Sequence, residues 1–443
     1  MSQLAEPLAL RSGQVLPNRI AKAAMEEFLA VDGQLPGPEL VTLYRRWGGG
    51  GAGLLITGHV MVDERALANP SDVVLADRTP LEPFRRWAAA ATAGGARAWM
   101  QINHPGRVVY ADMPGLAWSA SDIPVSIGRL SRFFAQPTAM TPEQIDEVVD
   151  RFGRTAQRAV EAGFDGVEIH AAHGYLISQF LSPLTNRRTD RWGGDLGNRA
   201  RLLIDVVTEV RRRLPDGAAV AVKLNTADFQ RGGFGPDDAR QVVGMLADAG
   251  VDLVELSGGS VESLATNGYP ADGHTLAREA YFLDAAATII PQAPVPVMLT
   301  GGVRRRAVAE RVRAQGAAVV GVATALAVDP ELPRRWLRGE EAAVAVPGPA
   351  LEEQAPGLGG HPGRRALPAP PGRARSRRPR PGRPGRLPHA GAAPATPVAA
   401  ALPPLAGGAG QRTDVVLARV TKADQAAGAK VRVPPSRSLV SRT

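Results

Sequence analysis

The sequence contains no cysteine, and this absence excludes several kinds of site at once. Without thiolates the chain cannot form a disulfide, use a cysteine nucleophile, or hold an iron–sulfur cluster or thiolate-bound zinc. Aromatic residues are scarce, at 5% of the sequence, and no apolar run is long enough to span a bilayer. The first residues lack a basic stretch followed by an apolar one, so no secretory signal is expected. Together these features predict a soluble, cytoplasmic protein.

The net charge of +9 is concentrated at one end of the chain. Residues 351–443 contain 16 Lys/Arg and 4 Asp/Glu, whereas the preceding residues contain 36 and 39. The body is therefore slightly acidic, which argues against nucleic-acid binding by the whole chain. Pro, Gly, Arg and Ala dominate residues 346–443, and this composition predicts a disordered tail. Two explanations for the tail stay open: a genuine basic linker, or an out-of-frame translation of GC-rich DNA, which the bias slightly favours.

The rest of the chain, residues 1–345, is predicted to form one domain. Short apolar runs alternate there with segments of helical period, which is typical of βαβ units around a parallel sheet. The predicted strands are residues 20–25, 53–57, 97–103, 166–170, 219–224, 253–257, 296–300 and 318–322. After the third strand, Thr141, Pro142 and Gln144 predict a capped helix start. The pattern favours an α/β fold of the (β/α)8 TIM-barrel type, although periodicity alone does not exclude an open sheet.

The most informative segment, residues 167–199, begins in the fourth predicted strand. His170 stands at the end of that strand, and His173 and Tyr175 follow in the loop. In a barrel, this end of the strands forms the catalytic face. Two imidazoles at this spacing can polarise one substrate oxygen, and a phenol can release a proton to a developing carbanion. The histidines could instead bind zinc, but no usual third ligand lies nearby in sequence, and no metal site is predicted.

This segment resembles the signature of the old yellow enzyme family of FMN-dependent reductases. That family carries H-x-x-H/N-G-Y-L followed by N-x-R-x-D-x-Y-G-G-x-x-x-N-R. The matching residues of the second part are Asn186, Arg188, Asp190, Trp192, Gly193, Gly194, Asn198 and Arg199. Further similarities, in the family's order, are Pro17-Asn18-Arg19-Ile20, Gln101-Ile102-Asn103-His104-Pro105-Gly106-Arg107, Thr300-Gly301-Gly302 and Val320-Gly321-Val322. The resemblance covers roughly residues 7–335 and implies a single-barrel FMN enzyme.

The resemblance also implies where FMN would bind. Backbone at Ala23, Ala24 and Met25, with Gly58, would line the flavin ring. Gln101 and Lys223 would face its pyrimidine side, where an ammonium group stabilises negative charge on the reduced flavin. The phosphate would lie on residues after the seventh and eighth strands, a common phosphate site in barrels: Gly301, Gly302, Gly321, Ala323 and Thr324. A structural alternative for Lys223 is an ion pair with a barrel carboxylate such as Asp228.

Two departures from the family pattern bear on this site. Glu26 stands where a Thr or Cys usually tunes the flavin through a hydrogen bond, which leaves the redox potential open. Ala323 and Thr324 replace a Gly-Arg pair, so Arg304 is expected to substitute for the missing phosphate-binding arginine.

The implied activity is hydride transfer from NADPH or NADH, through FMN, to the C=C bond of an enone or related electron-poor alkene. His170 and His173 would hold the carbonyl oxygen, and Tyr175 would protonate the α-carbon. The alternative is a flavin-binding barrel with little or no turnover. A nucleic-acid or membrane role for the Arg-rich tail is disfavoured, because no interleaved aromatic residues are present to stack on bases. The physiological substrate, the preferred nicotinamide and a possible homo-oligomer are left open.

Overall fold

The computed structural model describes residues 3–263 and 279–345, and its central feature is a barrel of eight parallel strands. These strands are β1 (Ile20–Lys22), β2 (Leu54–Ile56), β3 (Arg97–Asn103), β4 (Gly166–Ala171), β5 (Ala219–Asn225), β6 (Leu253–Ser257), β7 (Val297–Leu299) and β8 (Val319–Val322). Each strand pairs with the next along the chain, and β8 pairs with β1 to close the ring. The closure confirms the predicted (β/α)8 barrel and excludes the open sheet.

The strands are apolar on both faces because one face fills the barrel and the other packs against helices. Ala21, Leu54, Trp99, Leu253 and Met298 belong to one buried cluster, in which residues from seven of the eight strands meet. Neighbouring strands also approach closely at Gly166, where an added Cβ would lie 2.3 Å from the carbonyl oxygen of Ala219. The β4–β5 contact therefore depends on a glycine at this position.

Ten helices in the described residues surround or cap the barrel. Their bounds are α1 (Pro38–Gly48), α2 (Glu82–Thr92), α3 (Pro142–Glu161), α4 (Leu176–Leu181), α5 (Leu196–Arg213), α6 (Pro236–Asp248), α7 (Leu283–Ala286), α8 (Arg306–Ala314), α9 (Thr324–Val328) and α10 (Leu332–Leu337). The predicted start of α3 is confirmed: Thr141 Oγ1 accepts from the amide of Gln144 at 3.3 Å. In return, Gln144 Oε1 accepts from the amide of Thr141 at 2.9 Å. The described helices include none long and apolar enough to cross a membrane.

A β-hairpin near the N-terminus, strands Leu8–Ala9 and Val15–Leu16, covers the amino-terminal end of the barrel. At its turn, Gln14 Nε2 donates to the carbonyl oxygen of Gly217 at 2.7 Å and also to that of Asp165. The amide of Ser12 donates to Asp252 Oδ1 at 2.6 Å. These partners precede β4, β5 and β6, so this end is closed and the opposite end is left for a site.

Several short strands and 3-10 turns lie outside the barrel strands and the helices. They are the antiparallel pair Ala30–Val31 and Leu35–Pro36, the parallel pair Trp118–Ser119 and Thr138–Ala139, strands Val60–Met61 and Val73–Val74 beside β3, and 3-10 turns at Gln3–Ala5, Gly128–Phe133 and Ile290–Gln292. The predicted tail, residues 346–443, lies outside the described residues.

Candidate active site

The two histidines and the tyrosine of the predicted site meet at the carboxyl end of β4. The ring centroids of His170 and His173 lie 5.0 Å apart, and those of His170 and Tyr175 lie 4.9 Å apart. His173 has a φ of +62°, an uncommon conformation for a residue with a side chain. Its ring is fixed by Ser257, whose Oγ lies 2.8 Å from His173 Nε2. The three rings therefore form one compact group on the catalytic face.

Both histidines of this group are neutral near pH 7. Burial, reinforced for His170 by the neighbouring His173 and Lys223, lowers the pKa of each imidazole well below its usual value. In His170, Nδ1 accepts from the backbone amide of Ala172 at 3.2 Å. Because a neutral imidazole carries one N–H, this bond leaves the proton on Nε2 of His170, where it is available to a ligand.

Tyr175 also contacts a second group of residues, which comes from the loops after β1 and β2. Its hydroxyl donates to Glu26 Oε1 at 2.8 Å. Glu26 Oε1 lies 3.4 Å from His59 Nδ1, and His59 Nε2 lies 3.4 Å from Asp72 Oδ1. The side chains of His59 and Asp72 are buried, whereas that of Glu26 is 32% exposed. A continuous polar chain thus runs from the phenol to Asp72.

The carboxylates around His59 set its charge. Burial alone would lower the pKa of this imidazole, but Glu26 and Asp72 outweigh burial and raise the pKa to about 9. Asp72 is held in place because its Oδ2 accepts from two backbone amides, those of Ala68 at 2.8 Å and Asn69 at 2.9 Å. His59 is therefore an imidazolium near pH 7. Burial also raises the pKa of Glu26, and it raises the pKa of Tyr175 well above its usual value.

A polar layer lies inside the barrel below the histidines. Gln101 Nε2 donates to Glu168 Oε1 at 2.7 Å, and Lys223 Nζ pairs with Glu255 Oε1 at 2.8 Å. Lys223 thus forms the ion pair with a barrel carboxylate that the structural alternative described, but the partner is Glu255 and not Asp228, which accepts from the amide of Phe234 at 2.9 Å. Burial and the nearby Glu255 raise the pKa of Glu168 well above its usual value. Glu168 is thus held toward its protonated form, next to the ion pair of Lys223 and Glu255.

The segment expected to line the flavin ring follows β1. Ala23 is buried and its amide donates to the carbonyl oxygen of Val322 at 3.0 Å, while Ala24 and Met25 are half-buried. The amide of Gly58 donates to Tyr44 Oη at 3.0 Å and to Glu27 Oε1 at 3.2 Å. An added Cβ on Gly58 would lie 2.3 Å from the carbonyl oxygen of Met25. Gly58 therefore holds the β1 and β2 loops together, with its N–H already bonded.

The residues expected to hold the phosphate lie on the adjacent loops after β7 and β8. Gly301 and Gly302 have φ values of +110° and +72°, which turn the chain sharply. Within residues 3–263 and 279–345, the amides of Gly301, Gly302, Ala323 and Thr324 have no hydrogen-bond acceptor. Gly321 is buried in β8, where an added Cβ would lie 2.6 Å from Met298 Cε. Arg304 Nε lies 3.3 Å from Glu279 Oε1, so its guanidinium is already paired.

These residues fit FMN in their donor chemistry. Backbone N–H groups in successive turns make a concavity suited to a phosphate, and four such groups without a partner lie on neighbouring loops. The amine of Lys223 and the amide of Gln101 belong to β5 and β3, near the carboxyl ends of these strands. Within the same described residues, no group of three His, Asp or Glu side chains is arranged to hold a metal ion.

Sequence reasoning missed His59, Asp72, Glu168 and Glu255. His59 follows directly on Gly58 at the end of a predicted strand, so the rule that singled out His170 applies to it as well. Glu168 and Glu255 are acidic residues within otherwise apolar strand segments, which indicates an interior polar role. Asp72 has no comparable signal, because it lies in a turn 13 residues from His59.

A barrel with this donor set and this tyrosine–histidine group defines a flavin-dependent oxidoreductase, and comparison with known proteins agrees. Residues 3–342 match the model of the NADH:flavin oxidoreductase / NADH oxidase family. The chain belongs to this family, the old yellow enzyme family. Its flavin is FMN, and NADH or NADPH is the hydride donor.

Similar proteins support the assignment of the chain to this family. The NADH-dependent flavin oxidoreductase iliE of Hypocrea jecorina is 37% identical over 359 residues, which are 76% of this chain and 89% of that protein. The iliE protein of a Neonectria species is 37% identical over 354 residues, which are 74% of this chain but only 46% of that protein. This chain therefore spans about half the length of the Neonectria relative. The NADPH dehydrogenase of Halalkalibacterium halodurans is 31% identical over 349 residues, 77% of this chain and 96% of that protein.

Solved structures share the fold. An old yellow enzyme homologue from Zymomonas mobilis superimposes with a TM-score of 0.65 at 23% identity, covering 78% of this chain and 94% of the other. Morphinone reductase in complex with tetrahydroNAD gives a TM-score of 0.63 at 24% identity, with 78% and 93% covered.

Proposed function

We propose that this flavin oxidoreductase reduces the C=C bond of α,β-unsaturated carbonyl compounds, with Tyr175 as the proton donor. The observation that carries the proposal is the grouping of one phenol and two neutral imidazoles at the carboxyl end of β4. Reduction of an enone needs a group that polarises the carbonyl oxygen and a group that protonates the α-carbon. The histidines suit the first task and Tyr175 suits the second.

His170 and His173 would hold the carbonyl oxygen of the substrate. The Nε2 proton of His170 is free to be donated, because Nδ1 accepts from the amide of Ala172. His173 would reach the same oxygen after exchanging its contact with Ser257. Neutral donors aimed at the oxygen stabilise the enolate-like charge that develops as hydride arrives at the β-carbon.

Tyr175 would complete the reduction by releasing its phenolic proton to the α-carbon. The ring of Tyr175, in the loop after β4, lies 4.9 Å from the ring of His170 at the end of that strand, so one substrate can contact both groups. Bound FMN would supply the hydride-carrying chemistry, with Lys223 and Gln101 on its pyrimidine side and the amides of Gly301, Gly302, Ala323 and Thr324 at its phosphate.

An anaerobic absorbance titration tests this function. The purified protein is treated with NADH or NADPH and then with 2-cyclohexenone. We expect a flavin band that bleaches with the nicotinamide and returns with the enone. A band that bleaches but does not return with this or other enones would contradict enone reduction. A yellow protein that oxidises neither nicotinamide would instead support a flavin-binding barrel without useful turnover.

A further inference from the structure

We propose that Glu26 and His59 form a relay that replaces the proton which Tyr175 gives to the substrate, with Asp72 as the anchor of His59. This inference rests on the proposed enone reduction. The relay is the polar chain Tyr175–Glu26–His59–Asp72, whose contacts measure 2.8, 3.4 and 3.4 Å. It connects the phenol to a buried imidazolium that the reaction would otherwise leave unused.

The need for a relay follows from the surroundings of Tyr175. A phenol that gives up its proton becomes a phenolate, and here that phenolate would lie 2.8 Å from a carboxylate oxygen of Glu26. Two negative charges at this distance repel each other strongly in a partly buried site. The repulsion is avoided if Glu26 delivers a proton to Tyr175 as the phenolic proton leaves. A carboxyl group in hydrogen-bond contact with the phenol is placed to do so.

The proton balance closes within the chain. The phenolic O–H bond of Tyr175 breaks as the C–H bond at the α-carbon forms. The N–H proton of His59 moves to the carboxylate of Glu26, and Glu26 in turn passes a proton to the phenolic oxygen. His59 changes from imidazolium to imidazole and recovers its proton from solvent after the product leaves, while NADH or NADPH supplies the hydride through FMN.

The arrangement of Asn103 fits a protonated His59. Asn103 Nδ2 lies 3.2 Å from His59 Nδ1, while Asn103 Oδ1 is buried without a hydrogen-bond partner in the described part of the chain. Exchange of the amide oxygen and nitrogen, which have nearly the same shape, places an acceptor against Nδ1–H and removes the unpaired oxygen. Both observations are explained if His59 donates from Nδ1.

The charged and titratable groups that face the relay come from several elements. They are Glu26 and Glu27 after β1, His59 and Asp72 after β2, Tyr110 after β3, and His170 and Tyr175 at β4. Tyr110 is held neutral because burial raises its pKa to about 12. His170 is also neutral, so the carboxylates determine the charge of His59.

The test compares Glu26→Gln and His59→Gln with the surface control Glu64→Gln, whose side chain is 60% exposed. Each FMN-loaded enzyme is reduced anaerobically and mixed with 2-cyclohexenone in a stopped-flow instrument between pH 6 and pH 10. In wild type and Glu64→Gln, we expect reoxidation to slow as the pH rises through about 9, where His59 loses its proton. In both relay variants we expect reoxidation at pH 7 to be slower by about 10²-fold and free of that pH step. In His59→Gln and Glu64→Gln, flavin reduction by NADH should change little.

A second readout does not need turnover. In histidine-labelled protein, the His59 resonance, assigned by its loss in His59→Gln, should titrate near pH 9 in wild type and at lower pH in Glu26→Gln. Wild-type reoxidation rates in both relay variants, with the pH step retained, would overturn the relay and leave the proposed function standing. Equal slowing of reduction and reoxidation would assign these residues a structural role. A wild-type enzyme that reduces no enone would overturn the proposed function and the relay together.

Discussion

Tyr175 donates its phenolic hydrogen bond to Glu26 at 2.8 Å, although 149 positions separate the two residues along the chain. The contact joins the loop after β1 to the loop after β4 across the mouth of the barrel. It therefore links the catalytic group that the sequence predicts to a carboxylate that departs from the family pattern.

Tyr175→Phe should separate the two half-reactions. The variant keeps the ring and its packing against His170 but has no proton to give. We expect reoxidation by 2-cyclohexenone to fall by about 10²–10⁴-fold, the usual contribution of a general acid, while reduction by NADH stays within a few-fold of wild type. Stopped-flow absorbance of the flavin measures both steps. Equal slowing of the two would refute the proton-donor assignment.

The raised pKa of His59 should make stability depend on pH. The pKa is about 9 in the folded protein and 6.5 for an ordinary histidine, so protonation stabilises the fold. This contribution is complete below about pH 6.5 and is lost as the pH rises through about 9. Urea unfolding between pH 6 and pH 10 should show wild type losing on the order of 3 kcal/mol relative to His59→Gln.

His104 provides the matched control for that measurement. It is also buried, but burial lowers its pKa to about 4, so it stays neutral across the whole range. His104→Gln should therefore differ from wild type by a constant free energy of unfolding from about pH 8 to pH 10, the range in which His59 loses its proton; below that, protonation of the unfolded His104 destabilises wild type. A parallel pH dependence of the two differences would contradict the assigned charge of His59.

In the apoprotein, Lys223 and Glu255 should be strongly coupled in their contributions to the free energy of unfolding. Lys223→Met removes the ammonium and leaves the buried Glu255 without it, which typically costs about 3–5 kcal/mol. The double variant Lys223→Met/Glu255→Leu should recover much of this loss, because no charge is left unpaired. Urea unfolding of the single and double variants measures the coupling. Additive losses would show that the two residues act independently.

The capping box of α3 should stabilise the folded protein by the amount that is typical of a helix N-cap. Thr141→Ala removes the oxygen that accepts from the amide of Gln144, and we expect a loss of about 1 kcal/mol in the free energy of unfolding. Thr141→Ser keeps that oxygen and should lose only a few tenths. Thermal unfolding of both variants at neutral pH makes the comparison. Similar losses in both variants would exclude the hydrogen bond as their cause.

The barrel could be predicted from sequence because its signals are local. Each strand is a short apolar run, and Thr141, Pro142 and Gln144 together indicate where α3 begins. His170, His173 and Tyr175 were likewise found from their place after one strand. These predictions need only neighbouring residues, together with the rule that active sites lie at the carboxyl ends of barrel strands.

The rest of the site depends on strand register and ring closure, which the sequence does not display. Lys223 pairs with Glu255 because β5 and β6 align these two residues side by side. The sequence alone did not distinguish Glu255 from other barrel carboxylates such as Asp228, because the register of β5 and β6 decides between them. Glu26, His59 and Asp72 meet only because the loops after β1 and β2 lean together over the barrel.

The hairpin at residues 8–16 has a consequence for the order of assembly. The hairpin is synthesised before the residues that it contacts, because Gln14 and Ser12 bind partners at Asp165, Gly217 and Asp252. Those partners are made more than 150 residues later. The hairpin can therefore complete its docking only after residue 252 has been made, when five of the eight strands exist. Contacts over such separations slow folding, because a long loop must close before they form.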